Sequence, residues 1–447
     1  MLDKIERSPS APQTISELIS ALNEGKITAF DLSQACLEHI KAHDDDIQAW
    51  AFLDDDLALA SAKAADEHRH HGNPLGPLHG IPIGIKDNID TEQMPTELGT
   101  PIHKGRTPSE DAKLVSLLKE AGAVILGKTV TAEMAVLSPG KTRNPHNPAH
   151  TPGGSSSGSA AAVASCMVPV AIGSQTNGSV IRPASYCGVY GFKPSYGSIS
   201  RHRVLQSSAP LDTIGIFANS LDDIAIVADT LIGFDANDRN MKMKSRPQIT
   251  KISSEDPPID PRFAFVRSPV WDLAEENTKD GFRELIEHLG GTIDLFDLPS
   301  IFNKAHDAHK ILMEADIAKN YKKEYENSKD ELSPVLIQII ERGQKQTAVE
   351  YNQALDLIAE LRYILNDIFE DYDAIITPSA PGEAPKGIEN TGDPSFCTIW
   401  SFCGTPALNL PILQGEQDLP IGVQLVGNYN DDARLLRTAK WLLHKLQ

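Results

Sequence analysis

Three short segments concentrate residue types that can move a proton, supply a nucleophile and stabilise developing negative charge. In GPLHGIPIGIKDNID (76–90), Lys86 ends an alternating apolar strand. A lysine there usually marks the point where a strand meets water. If it is desolvated instead, its charged form is disfavoured and the neutral amine becomes a base. Side chains alternate faces along a strand, so Asp87 should point away from Lys86 and leave its pKa unraised. In TPGGSSSGSAAAVA (151–164), small residues around Ser155 crowd a turn before an Ala-rich stretch of high helix propensity. Glycines there permit unusual dihedrals and close approach, and the amides of the following helix favour negative charge. In AIGSQTNGSVIRPAS (171–185), an apolar strand runs into a polar turn carrying Thr176, Asn177, Gly178 and Ser179. Such a turn can present Ser179 to a pocket and aim successive backbone N–H groups at one point, as an oxyanion requires.

Each segment also has a plain structural explanation. A flexible linker does not suit the Gly/Ser run, because an alanine helix in need of burial follows at once. A phosphate loop does not suit it either, since the GK[ST] ending and the GxGxxG spacing are absent. A tight packing corner remains open, and an ordinary strand-end turn explains the segment around Ser179 equally well. Histidine offers the alternative of a Ser/His/Asp triad using His79, His146 or His150, yet no GxSxG elbow accompanies them and loop hydrogen bonding accounts for all three. The HRHH run (68–71) sits at the polar end of a helix without a matching Cys or carboxylate pattern, so it reads as solvated surface, with no metal site expected.

The elements that must position these residues alternate between strand and helix. Apolar residues at three- and four-residue intervals predict two amphipathic helices between Thr14 and Lys41, broken at Gly25, and a third over Leu57–His68. IPIGIK (81–86), AVILGK (123–128) and VPVAIGS (168–174) read as short buried strands, the first two separated by a helix over Asp111–Ala121. That alternation predicts an α/β core. The stretch after Pro183 is dense in Gly and Pro, a helix follows over Leu221–Ile232, and residues 235–262 are polar, Pro-containing and linker-like, which predicts an exposed loop. Beyond it come a strand at Phe263–Arg267, helices near 274–289, 305–325, 335–343 and 347–369, the strand AIITP (374–378) and a final helix over Asp431–Leu446. Strands on both sides of the linker-like stretch are compatible with two domains or with one sheet.

Composition excludes several classes of function. With 447 residues and 40% hydrophobic residues the chain can bury one large core or two modest ones. A formal net charge of -20 without a basic block disfavours nucleic acid and anionic membranes as partners. The five cysteines are odd in number, widely spaced and without CxxC pairs, which fits a reducing compartment. The start MLDKIERSPSAPQTISEL lacks a secretory apolar core, and no apolar run approaches the ~18 residues a membrane helix needs, so a cytoplasmic protein is expected.

Taken together in content, order and spacing, the three segments resemble the amidase signature family. The segments LHGIPIGIKDNID, GGSSSGSAAAVA and GSQTNGSVIRPASYCGVYGFKPSYG are similar to its blocks, and the separations from Lys86 to Ser155 and from Ser155 to Ser179, 69 and 24 residues, match its pattern. SAPLDTIGIFANSLDDIA (208–225) and CGTPALNLPI (403–412) extend the resemblance, which is weaker from 235 to about 370. It implies an α/β/α sandwich with a large mixed central sheet flanked by helices, one amidase domain over 1–447, and a helical insertion near 300–370. It also implies that Ser179 is the nucleophile, Ser155 a relay on a cis peptide and Lys86 the base, with Thr176, Asn177 and Gly178 forming the oxyanion hole. No cofactor is implied. The expected activity is cleavage of an acyl C–N bond in a small or aryl amide, a urea or a carbamate. The alternatives are an amidotransferase A-type subunit that needs a partner protein, or a non-catalytic assembly subunit.

One departure bears on the choice. The commoner nucleophile block reads GGSIRxPA, whereas here Asn177 precedes Gly178 and the arginine falls one place later, in SVIRPA. This sets the chain apart from the glutaminyl-tRNA amidotransferase subunits. The segments MAVLSPGKTRNPHNP (134–148) and Glu92–Thr100 are expected to line the substrate pocket, with Pro-rich loop structure as the equal alternative. The amphipathic helices near the N-terminus and at 347–369 offer a homodimer face, or burial within the monomer.

Overall fold

A computed structural model describes residues 14–446; residues 1–13, most of the stretch read as lacking a secretory signal, lie outside the described residues. Eleven strands form one mixed sheet. In chain order they are β1 (Trp50–Leu53), β2 (Pro82–Lys86), β3 (Val124–Thr129), β4 (Val170–Gln175), β5 (Tyr190–Lys193), β6 (Thr213–Ala218), β7 (Phe263–Val266), β8 (Ile293–Phe296), β9 (Ala374–Pro378), β10 (Ala407–Gln414) and β11 (Pro420–Val426). The order across the sheet is β1-β3-β2-β4-β6-β5-β10-β11-β9-β7-β8, so strands from both sides of the linker-like stretch hydrogen-bond into the same sheet.

Period-two alternation distributes the strand residues between two apolar layers. Val170 and Ile172 of β4, and Phe263 and Phe265 of β7, join the core containing helices Ile15–Asn23, Leu221–Leu231 and Asp432–Lys445. Ala171 faces the other way, onto the alanines of helix Ser157–Ala164, and Ala264 and Val266 meet helices Ala305–Asn320 and Ala348–Asp371. Helices therefore cover both faces, giving the expected α/β/α sandwich. The apolar faces offered above as a homodimer surface are covered within the chain: Ile15, Leu18 and Leu22 are buried on the first helix, and Leu357, Leu361 and Leu365 on the helix Ala348–Asp371. Among the described residues no helix is long and apolar enough to cross a membrane.

Two sheet features place the site. β2 runs parallel to β4 with Ile85 opposite Ile172, so the residues that follow, Lys86 and the Gly173–Ser174 pair, emerge together at one sheet end. Helix Ser157–Ala164 lies flat against neighbouring backbone, because a Cβ on Gly158 would fall 2.2 Å from Ala49 O and 2.3 Å from Val130 N. The tight packing read from the Gly/Ser run is thus present, and it fixes the segment that carries Ser155.

The stretch 235–262 is only partly exposed. Asp238 accepts from Arg201 Nε at 3.0 Å and Asp235 from Ser200 Oγ at 2.6 Å, while a short helix, Ile249–Ser253, packs against the helices Leu221–Leu231 and Asp432–Lys445. Its polar composition reflects carboxylates that grip a neighbouring loop rather than water. The loop Glu92–Thr100, expected on the pocket, instead wraps Asp87, whose carboxylate accepts the Glu97 N–H at 3.1 Å. A buried acceptor beside it, rather than a ligand, sets its course.

Candidate active site

Lys86 is fully buried at the end of β2, with Nζ 2.8 Å from Ser155 Oγ and 2.9 Å from Ser174 Oγ. Burial lowers its pKa well below 10.5; the Asp212 carboxylate opposes that shift and the Arg182 guanidinium reinforces it. Asp87 turns to the opposite face, as the strand alternation requires, and lies 3.5 Å from Lys128 Nζ. Burial therefore disfavours the charged form of Lys86, whose Nζ lies against a serine hydroxyl.

Ser155 follows a cis peptide bond from Gly154 and is 1% exposed. Its neighbour Gly154 accepts a hydrogen bond through its carbonyl from Arg182 Nη2 at 2.6 Å, and Arg182 Nε donates to Thr391 O at 2.7 Å. This buried arginine ties together the segment carrying Ser155, the helix Ile181–Cys187 that follows Ser179, and the 391 loop. Ser179 lines a cavity of about 370 Å³ together with Thr176, Asn177 and Gly178. Its hydroxyl makes no hydrogen bond among the described residues, so Ser155 is bonded to Lys86 but not to Ser179.

The turn before Ser179 is held by side chains from distant parts of the chain. Thr176 Oγ1 donates to Asp212 Oδ1 at 2.6 Å, and the Thr176 carbonyl accepts from His309 Nε2 at 3.0 Å. Asn177 Oδ1 accepts from Thr398 Oγ1 at 2.9 Å, its carbonyl accepts from Ser401, and Gln175 Oε1 caps the Val180 N–H at 2.7 Å. The N–H groups of Asn177, Gly178 and Ser179 find no acceptor among the described residues. A rigid turn with spare backbone donors beside an unpaired hydroxyl is equipped to hold an oxyanion. Gln175 and Asp212 lie in segments singled out above, whereas His309, Thr398 and Ser401 belong to no local motif, so pattern and spacing do not reveal those three.

The cavity has one apolar wall, including Val136, Leu137, Met313 and Ile339, and a charged end at Lys310, Glu314 and Arg342. Residues 135–137 thus contribute to it as expected, and the helical region 300–370 supplies Met313 and Ile339 beside them as well as the charged Lys310, Glu314 and Arg342. A second cavity of about 460 Å³ also reaches Thr176 and is lined by Asn88, Ser174 and Asp212 among others. The three histidines considered for a triad do not line the Ser179 cavity. His146 Nε2 meets Cys187 O at 2.9 Å and His150 Nδ1 meets Ala384 O at 2.7 Å, so both stitch loops, and His79 is buried. At the HRHH run, His68 Nε2 meets Pro74 O at 3.0 Å.

A buried amine with a lowered pKa, a hydroxyl hydrogen-bonded to it, a second hydroxyl without a partner and unpaired N–H donors make a set suited to acyl transfer. Comparison with known proteins agrees with that chemistry. The family model described as Amidase matches residues 31–436. The A-type subunit of the glutamyl-tRNA(Gln) amidotransferase from Lachnospira eligens is 31% identical over 95% of this chain and 96% of its own length. The nucleophile-block departure therefore coexists with extended similarity to those proteins. Among solved structures, 6-aminohexanoate cyclic dimer hydrolase superposes with a TM-score of 0.87 at 26% identity, covering 97% of each chain. A structure described as a vestigial protein complex revealing the evolutionary origins of an s-triazine catabolic enzyme superposes with a TM-score of 0.90 at 28% identity, covering 97% of this chain and 98% of that one.

Proposed function

The chain belongs to the amidase family, and on that premise we propose that it cleaves the acyl C–N bond of a small or aryl amide, urea or carbamate through an acyl-enzyme. Ser179 Oγ attacks the carbonyl and forms the C–O bond. Its proton passes to Ser155 as Ser155 gives its own to Lys86; the proton then returns along the same path to the leaving nitrogen as the C–N bond breaks. Water repeats the sequence on the ester and frees Ser179. The first step requires the Ser179 and Ser155 hydroxyls to come within hydrogen-bonding distance. Backbone N–H groups of the turn from Thr176 to Ser179 hold the oxyanion.

The observation that carries this reading is the 2.8 Å approach of a buried Lys86, whose charged form burial disfavours, to Ser155, in the same chain region as the turn that brings Ser179 to its cavity. An intact set of this kind counts against a purely structural role. The amidotransferase reading draws support from the relatives named for glutamyl-tRNA(Gln) amidotransferase. Ammonia release by the purified chain from a panel of aliphatic amides, aryl amides, ureas and carbamates separates the two. Turnover without ATP or a second protein is the expected result, and turnover only with both would favour the amidotransferase reading.

Asp212 supplies a prediction with a definite sign. It is buried beside the site, accepts from Thr176, and its charge favours protonated Lys86. Asp212→Asn removes that charge, so the pKa of Lys86 falls further and the acid limb of the kcat/KM profile moves to lower pH. Loosening of the turn lowers kcat about tenfold, less than loss of a direct oxyanion donor. A limb that stays in place or moves up contradicts the assignment.

A further inference from the structure

Among the side chains around Ser179, His309 carries a hydrogen-bond acceptor that no group among the described residues uses. His309, on the helix Ala305–Asn320, is 1% exposed and donates from Nε2 to Thr176 O at 3.0 Å. A carbonyl oxygen only accepts, so Nε2 must carry the proton. Burial lowers the pKa of the ring to about 4, which leaves it neutral at ordinary pH. A neutral imidazole protonated on Nε2 presents a lone pair at Nδ1. That atom has no partner among the described residues and is not one of the polar atoms sealed off by protein, and the ring lines the Ser179 cavity. The lone pair therefore meets the space that a substrate enters.

Its position relative to the chemistry follows from the peptide it holds. The carbonyl of Thr176 and the N–H of Asn177 belong to one peptide unit; the first accepts from His309 and the second has no acceptor among the described residues. The imidazole thus sits one peptide unit from the place proposed for the oxyanion. Resting on the acyl-transfer reading of the site, we infer that His309 is a specificity-determining residue whose Nδ1 accepts a hydrogen bond from an N–H or O–H next to the scissile carbonyl. Acyl groups bearing such a donor, N-substituted ureas and N–H carbamates among them, are favoured over plain alkyl or aryl amides. A site built around an acceptor rejects an isostere that leaves it unpaired.

Phenylurea and 2-phenylacetamide differ by N–H against CH2 beside the carbonyl, and their binding to Ser179→Ala protein can be measured calorimetrically without turnover. Phenylurea is expected to bind about fivefold more tightly, the scale of one neutral hydrogen bond. Adding His309→Leu removes the Nδ1 acceptor, and brings the ratio close to one. Adding His309→Gln instead keeps an amide donor for Thr176 O together with an amide oxygen that accepts, and retains the preference. Equal affinities in the protein that keeps His309, no binding of either ligand, or a preference that survives His309→Leu would overturn the assignment. Because no bond is broken in this measurement, its failure is distinct from failure of the acyl-enzyme reading, which covalent labelling of Ser179 reports.

Discussion

Ser179→Ala protein is expected to lose about 10⁴-fold or more in amide turnover, the scale on which serine hydrolases lose activity with their nucleophile. Fold and stability should change little. The Ser179 hydroxyl makes no hydrogen bond among the described residues, and the turn keeps its hold through Thr176, Asn177 and Gln175. Circular dichroism and a thermal midpoint close to that of the parent protein, beside the collapsed turnover, separate loss of chemistry from loss of structure. A variant that retains a tenth of the activity would move the nucleophile elsewhere, Ser155 being the nearest candidate on the same path.

Lys86→Ala carries the second large effect, a loss of about 10³-fold, within the range that general-base catalysis supplies. The pH profile carries more information than the rate. Burial depresses the pKa of Lys86 in the folded chain, and the active form is the neutral amine, so activity in the parent protein rises as pH increases through that depressed pKa. The residual activity of Lys86→Ala should lack this limb. A stability effect of fixed sign accompanies it. Between the folded pKa and the ordinary lysine value the unfolded chain binds a proton that the folded chain does not, so the lysine disfavours folding there, and the cost shrinks as pH rises towards ~10.4. Lys86→Met is accordingly expected to raise the thermal midpoint at neutral pH, with the advantage fading in alkaline buffer. An alanine variant that keeps the acid limb would assign the titration to another group.

The trio proposed as catalytic is legible in the chain because each member sits in a compact, ordered block. Lys86 closes an apolar strand, Ser155 lies in a Gly/Ser turn before an alanine helix, and Ser179 ends a strand-to-turn segment. What holds the trio is not legible in the same way. Asp212 reaches the turn from 36 residues away within a segment already quoted, whereas His309, Thr398 and Ser401 reach it from 133, 221 and 224 residues away and nothing local marks those three. Tertiary contact alone gives them their part.

The sheet shows the same division. β2, β3, β4, β7 and β9 are apolar runs with clear boundaries and appear within a residue or two of the expected positions. β5 is hidden in the Gly-rich YGFKPSYG, where Gly191 admits close contact: a Cβ there would lie 2.3 Å from Ala184 Cβ. β10 contains Pro411, a residue that argues against a central strand. It is accommodated where the pairing with β11 shifts register between Leu410 and Leu413, in the manner of a bulge. The stretch 235–262 resembles a linker because its carboxylates are polar in any one-dimensional reading, yet Asp235 and Asp238 are buried against Ser200 and Arg201.

The most direct measurement is covalent trapping. Purified protein is treated with a serine-reactive aryl phosphonate, digested and mapped by mass spectrometry. The expected result is a single adduct on the peptide carrying Ser179, absent from Ser179→Ala protein. An adduct on Ser155, or labelling that persists undiminished in Ser179→Ala protein, would contradict the assignment of Ser179 as nucleophile and of Lys86 and Ser155 as the base and relay that serve it.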